Sequence, residues 1–116
     1  MINPESNPEM LNLEMLKFEE PDLYYEFDML CFWATKDGRV YSASDSGCSC
    51  PSPFENYVGN TQKEVLQKLE RVGSAEQAKQ IFNAWNKHPY DEKRTKLPIE
   101  SQYEATEWVK RHLPAA

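Results

Sequence analysis

The sequence predicts an α+β fold: a small β-hairpin or antiparallel sheet with about three C-terminal helices packed on one face. Three observations carry that reading. An aromatic-rich run spans residues 24–35, Asp37-Gly38 follows it as a tight-turn pair, and three helix-start signals lie between Thr61 and Glu104. The 116 residues suit one domain (1–116), divided into an N-terminal segment (1–22), a hairpin (24–44), a Cys/Pro-rich loop (45–59) and a helical part (61–113). A hydrophobic content of 40% is enough for a folded, soluble protein.

In the N-terminal segment Leu11, Met15 and Phe18 suit one helix face, while Leu11, Leu13 and Met15 suit a strand. The reading adopted is a short helix, with Asn7 as its cap and Pro8 in its first turn. From Tyr24 to Thr35 the aromatics and alternation make a strand with Tyr25, Phe27, Met29, Cys31 and Trp33 on one face. The opposite face changes from Glu26 and Asp28 to Leu30, Phe32 and Ala34, so the second half of the strand is expected to be covered on both sides. Residues 39–44 return as the antiparallel partner, with small residues that allow close packing, and a third strand can extend the hairpin.

Thr61 with Glu64 forms a capping box before Val65, Leu66, Leu69 and Val72, and Gly73 closes that helix. Ser74 with Gln77 opens a second helix striped by Ala78, Ile81, Phe82 and Trp85. Ser101 with Glu104 opens a third, with Ala105, Trp108 and Val109 on one face and an end at Leu113-Pro114. The charged connector 90–96 has no apolar anchor.

Charge is polarised along the chain. Residues 1–30 hold eight acids against the single base Lys17, whereas the whole chain carries −6, which leaves the remainder nearly neutral. Direct binding to duplex nucleic acid is disfavoured, because phosphate contacts need a basic patch. No apolar run approaches the length of a membrane span, and the first residues lack the basic start and apolar stretch of a signal peptide. With three cysteines, an odd number, the expected setting is the cytoplasm and the thiols are expected to be free.

The densest chemistry lies between Asp45 and Tyr57, where Asp45, Ser46, Cys48, Cys50, Phe54 and Tyr57 share a segment that Gly and Pro keep out of regular structure. Asp45-Ser46-Gly47 reads as a turn, and Phe54 and Tyr57 as exposed aromatic anchors. Glu26 and Asp28, two apart on one strand face, read as the solvated face of an edge strand that discourages self-association. Cys31, Cys48 and Cys50 with His88 or His112 lack the paired spacing of a structural zinc site, so neither a metal nor a cofactor is expected. The two histidines read as helix C-terminal cations.

The residues Tyr25-Glu26-Phe27-Asp28, Trp33, Asp37-Gly38 and Tyr41, with the block Ala43-Ser44-Asp45-Ser46-Gly47-Cys48-Ser49-Cys50-Pro51-Ser52-Pro53-Phe54-Glu55, resemble a family of small uncharacterised proteins encoded by phages of actinobacteria. The likeness covers residues 24–57, and Cys31 lies outside the shared block. It implies a viral origin and a host-cytoplasmic setting, and it brings no catalytic assignment. The expected function is therefore a phage-encoded, cytosolic protein-interaction module acting on a host or phage protein. Its binding residues would be Asp45, Ser46, Cys48, Cys50, Phe54, Tyr57, Glu26 and Asp28. The alternatives are a small metal- or thiol-dependent enzyme built on Asp45, Cys48, Cys50 and a histidine, and an acidic nucleic-acid mimic.

Overall fold

The hairpin expected from the aromatic run forms the centre of the molecule. β2 (Glu26–Ala34) pairs antiparallel with β3 (Val40–Cys48), from Ala34↔Val40 to Glu26↔Cys48. Thr35 N donates to Arg39 O at 2.9 Å across the turn, and Gly38 takes φ +87°. A Cβ at Gly38 would be strained by that φ and would meet the Pro114 ring at 3.1 Å, so glycine is needed both for the turn and for the close approach of the chain's end. The computed structural model describes residues 1–21, 26–48 and 52–114, and it shows a four-stranded sheet in the order β1-β2-β3-β4, with β1 (Glu14–Glu19) and β4 (Glu70–Val72) at its sides.

Both outer strands correct the sequence reading. In place of a helix through Met10–Phe18 there is a 3-10 turn, Pro8–Leu11, whose Asn7 makes no side-chain cap and which Asn12 ends in the left-handed region (φ 55°). β1 follows, pairing Phe18 with Leu30 and Met15 with Trp33. The helical spacing was a weak local preference, and the open edge of an aromatic-rich strand outweighs it. The helix expected over residues 61–72 is likewise split. Thr61 Oγ1 caps Glu64 N at 3.2 Å as the capping box requires, but α1 stops after Gln62–Leu66 and the chain re-enters the sheet as β4, with Val72 opposite Val40.

The other two helices form as expected. α2 (Ala75–Asn86) is capped by Ser74, whose Oγ accepts from Gln77 N at 3.0 Å. α3 (Glu100–His112) begins before Ser101, so that residue lies inside the helix and the N-cap, Ile99, makes no side-chain capping bond. The connector before α3 is anchored after all, by polar groups: Asn86 Oδ1 accepts from Leu97 N at 2.7 Å, and Lys96 N donates to Asn86 O at 2.8 Å.

Alternation along β2 supplies two cores, so its second half is covered on both sides. Leu30, Phe32 and Ala34 pack with Phe82, Trp85, Trp108 and Val109, which puts α2 and α3 on one face. Met29, Cys31 and Trp33 pack on the other face with Leu11, Leu13, Phe54, Val65 and Leu66, so the N-terminal segment, the Cys/Pro loop and α1 close that side.

Candidate functional site

Sheet parity divides the residues expected to form one site. Asp45 is opposite Met29 and faces the second core, whereas Ser46 and Cys48 are opposite Asp28 and Glu26 on the α2 face. Asp45 belongs to a strand, not to a turn. Its carboxylate is fully engaged, with Oδ2 accepting from Phe54 N at 2.7 Å and Oδ1 from Ser46 N at 3.0 Å. Phe54 is fully buried, which corrects its reading as an exposed anchor. It holds φ 61° and packs edge-on against Trp33 at 5.6 Å and against half-buried Tyr57 at 5.5 Å. The N-terminal segment locks the same loop, through Ile2 and Gly59 bonded in both directions (2.6 and 3.1 Å) and Asn3 Nδ2 donating to Pro53 O at 2.9 Å. This part of the motif is architecture. Cys50 lies outside the described residues.

The α2 face is different. β2 lies between β1 and β3, and the last bond from the β1 side is Glu20 N to Asp28 O at 3.0 Å, so Asp28 is inside the sheet, which corrects its edge-strand reading, whereas Glu26 extends past the end of β1. Asp28 is held by Lys96 Nζ at 2.5 Å and by Trp85 Nε1 at 2.8 Å, with the ammonium 4.8 Å from the Trp85 ring centre. Glu26 is exposed and has no ion pair among the described residues. Together with Glu20, Asp28, Ser46, Cys48 and His88 it lines a groove of about 440 Å³. A second hollow of about 360 Å³ lies further along the same face, between Ser42, Ser44 and Glu70 on one side and Ile81 and Trp85 on the other.

Among the described residues, the sheet edge beside these hollows is open. The Thr35–Arg39 bond fixes Tyr41, Ala43, Asp45 and Gly47 as the β3 residues bonded to β2, so the N–H and C=O groups of Ser42, Ser44, Ser46 and Cys48 point the other way. β4 meets Ser42 through Glu70 and extends no further, and among the described residues no strand pairs with β3 beyond Ser42. Ser42 Oγ is buried at the inner end of this edge without a hydrogen-bond partner among the described residues. Sequence reasoning missed Ser42, Ser44, Glu70 and Glu20; the small residues at 42–44 were a visible signal of close packing, but the late start of β4 was not.

A model of a domain family of unknown function (DUF7574) matches residues 2–108. The chain belongs to this family. No curated protein and no solved structure matches it. The matched span takes in the N-terminal segment, the second core and all of the first core up to Trp108, and the β3 edge, so the family's domain includes every residue of the groove.

Within the family's domain the two described thiols do not converge. Cys31 faces the second core and Cys48 the α2 face, so the sheet itself lies between them. Burial, reinforced by the nearby Glu5 carboxylate, pushes the Cys31 thiol far up, which leaves it protonated and inert. His88 Nδ1 accepts from Tyr90 N at 3.2 Å, and Cys48 makes no hydrogen bond with it among the described residues. His112 is committed elsewhere, with Nδ1 2.7 Å from Trp108 O and Nε2 2.6 Å from Glu14, its ring 4.0 Å from that of Trp108. Among the described residues no group of three or more His, Cys, Asp or Glu has a metal-binding arrangement, and no helix is long and apolar enough to cross a membrane.

Proposed function

We propose that the chain is a protein-interaction module, encoded by a phage and acting in the host cytoplasm on a host or phage protein. One observation carries the reading: β3 beyond Ser42 has no strand on its outer side among the described residues, and it runs beside a groove rimmed by Glu20, Glu26 and Asp28. Exposed strand edges pair readily with other chains, and soluble proteins commonly cover or blunt them. The phage assignment rests on the resemblance across residues 24–57. The thiol-enzyme reading has less support, since Asp45 and Cys48 lie on opposite faces and Asp45 is spent on the Phe54 loop. The nucleic-acid mimic also has less support. Glu5, Glu14 and Asp28 each have a cationic or histidine partner, in Lys17, His112 and Lys96, and Glu5 lies by Cys31 on the opposite face from the other two.

The test is retention from a host lysate at low salt, comparing the wild type with Glu20→Lys/Glu26→Lys and with Glu104→Lys on α3. A protein held by the wild type and by Glu104→Lys, but lost by the double variant, is the expected result. Equal retention by all three places the contact elsewhere, and no retention by any of them removes the interaction reading.

A further inference from the structure

We infer that the open edge of β3 receives an extended segment of the partner as an added strand, with an apolar residue beside Ser44 and a basic residue beside Ser46 or Cys48. This rests on the interaction reading above and specifies its geometry. Strand addition takes its affinity from main-chain bonds and its specificity from pockets for alternate side chains. Both are in place. The outward N–H and C=O groups of Ser44, Ser46 and Cys48 continue the ladder that Glu70 begins at Ser42.

A residue placed beside Ser44 in that ladder directs its side chain to the α2 face, into the hollow of about 360 Å³ lined by Leu30, Ile81, Ala84 and Trp85. That lining takes an apolar side chain. Its inner end holds Ser42 Oγ, a buried hydroxyl with no described partner, which an incoming polar group can satisfy.

The positions beside Ser46 and Cys48 have different surroundings. Asp28 and Glu26 are the cross-strand neighbours of Ser46 and Cys48, which puts them two strands from an added segment, about 10 Å. A lysine or arginine on the added strand and a glutamate on β2 span that distance together, and the small Ser46 side chain between them leaves the path open. The described lining of the groove holds no lysine or arginine, and Lys96 behind it is already bound to Asp28, so Glu26 and Glu20 set the sign of the groove. The same charges argue against a second copy as the occupant, since edge-to-edge pairing would bring two sets of Glu20, Glu26 and Glu70 together.

The experiment uses ¹⁵N-labelled protein and three blocked octapeptides that keep valine and the charged residues two apart, on one strand face: a valine/lysine peptide Thr-Lys-Thr-Lys-Thr-Val-Thr-Thr, a valine/glutamate peptide with glutamate in place of both lysines, and the valine/lysine peptide N-methylated at its valine and lysines. The valine/lysine peptide is expected to bind saturably, tighter than about 1 mM. At ten times Kd it should slow hydrogen exchange of the Ser44 and Ser46 amides by roughly tenfold. The other two peptides, and the variant Ser44→Pro, should bind at least tenfold more weakly. The N-methylated peptide keeps the test valid if that variant fails to fold.

Binding without protection of those amides would overturn strand addition and leave a charge contact, with the interaction reading intact. No binding of the valine/lysine peptide up to millimolar concentration, or equal binding of the glutamate peptide, would also overturn it. A dimer that protects the same amides without peptide would make a second copy the occupant. None of these outcomes bears on lysate retention lost in Glu20→Lys/Glu26→Lys, so failure of the strand model and failure of the interaction reading are separable.

Discussion

Phe54 holds a left-handed backbone conformation (φ 61°) that disfavours an L-residue by roughly 1–2 kcal/mol, yet its ring is fully buried against Trp33. Packing outweighs the strain, because removing a buried phenylalanine side chain costs about 3–5 kcal/mol. Phe54→Ala is therefore expected to destabilise the protein by about that amount in urea unfolding. Phe54→Gly, which leaves the same cavity without the Cβ strain, should be up to about 1 kcal/mol better than Phe54→Ala. A Phe54→Ala loss below about 1 kcal/mol would place the ring outside the core. Nothing local announces this role, because a phenylalanine beside prolines carries the same signal whether its ring points in or out. Cys31 was more legible, since an apolar-flanked position in an aromatic strand is a buried position. Its raised thiol implies that alkylation of the native protein, followed by peptide mapping, modifies Cys48 and spares Cys31 up to about pH 9, and that Cys31 reacts on unfolding. Modification of native Cys31 at a rate like that of Cys48 would contradict its burial.

Elements whose signals are local were read correctly: the Asp37-Gly38 hairpin, the Ser74 cap and the apolar stripe of α2. β1 and β4 were not, because each is a strand only by virtue of the neighbour it pairs with: the spacing before β1 suited helix and strand alike, and that before β4 continued a capped helix. The hairpin turn also sets a pH response. The Thr35 hydroxyl first, and then Arg39, hold the Asp37 carboxyl below its ordinary range. A carboxylate depressed in the folded state adds stability that is fully present above its unfolded value, near 3.9, and is lost as pH falls through the lower folded value. Asp37→Asn should therefore lower Tm at neutral pH and flatten the loss of Tm below about pH 4; an unchanged acid limb would mean the turn contributes nothing. The connector to α3 is fixed by Lys96, whose side chain is 9% exposed beside Asp28 at 18%. Lys96→Met leaves that carboxylate with Trp85 as its partner among the described residues and should cost about 1–2 kcal/mol, most of which Asp28→Asn in the same chain recovers. Purely additive effects would show that the two groups do not interact.

At the scale of the whole molecule, β2 gives alternate side chains to opposite cores, so neither face can form without the strand that serves the other. The N-terminal segment completes one of them. Trp33 Nε1 donates to Pro4 O at 2.8 Å and the ring is fully buried, while Ile2 bonds Gly59 in the loop that carries Phe54. An acidic segment holding prolines gave no sign in the sequence that it closes a core, because its partners lie about fifty residues away in Pro53 and Leu11's partner Gln62. The open β3 edge was hidden for a related reason: its exposure depends on β4 not starting before Glu70, which only the packed molecule decides. Since the two faces share β2, they should unfold together. Removing residues 1–6 is expected to lower the urea midpoint and shift tryptophan emission to the red as water reaches Trp33, while far-UV circular dichroism and fluorescence continue to report one coincident transition. Two separated transitions in either chain would show that the faces fold independently. In that case the groove on the α2 face, with its strand edge and acids, would remain formed after the Phe54 side had opened.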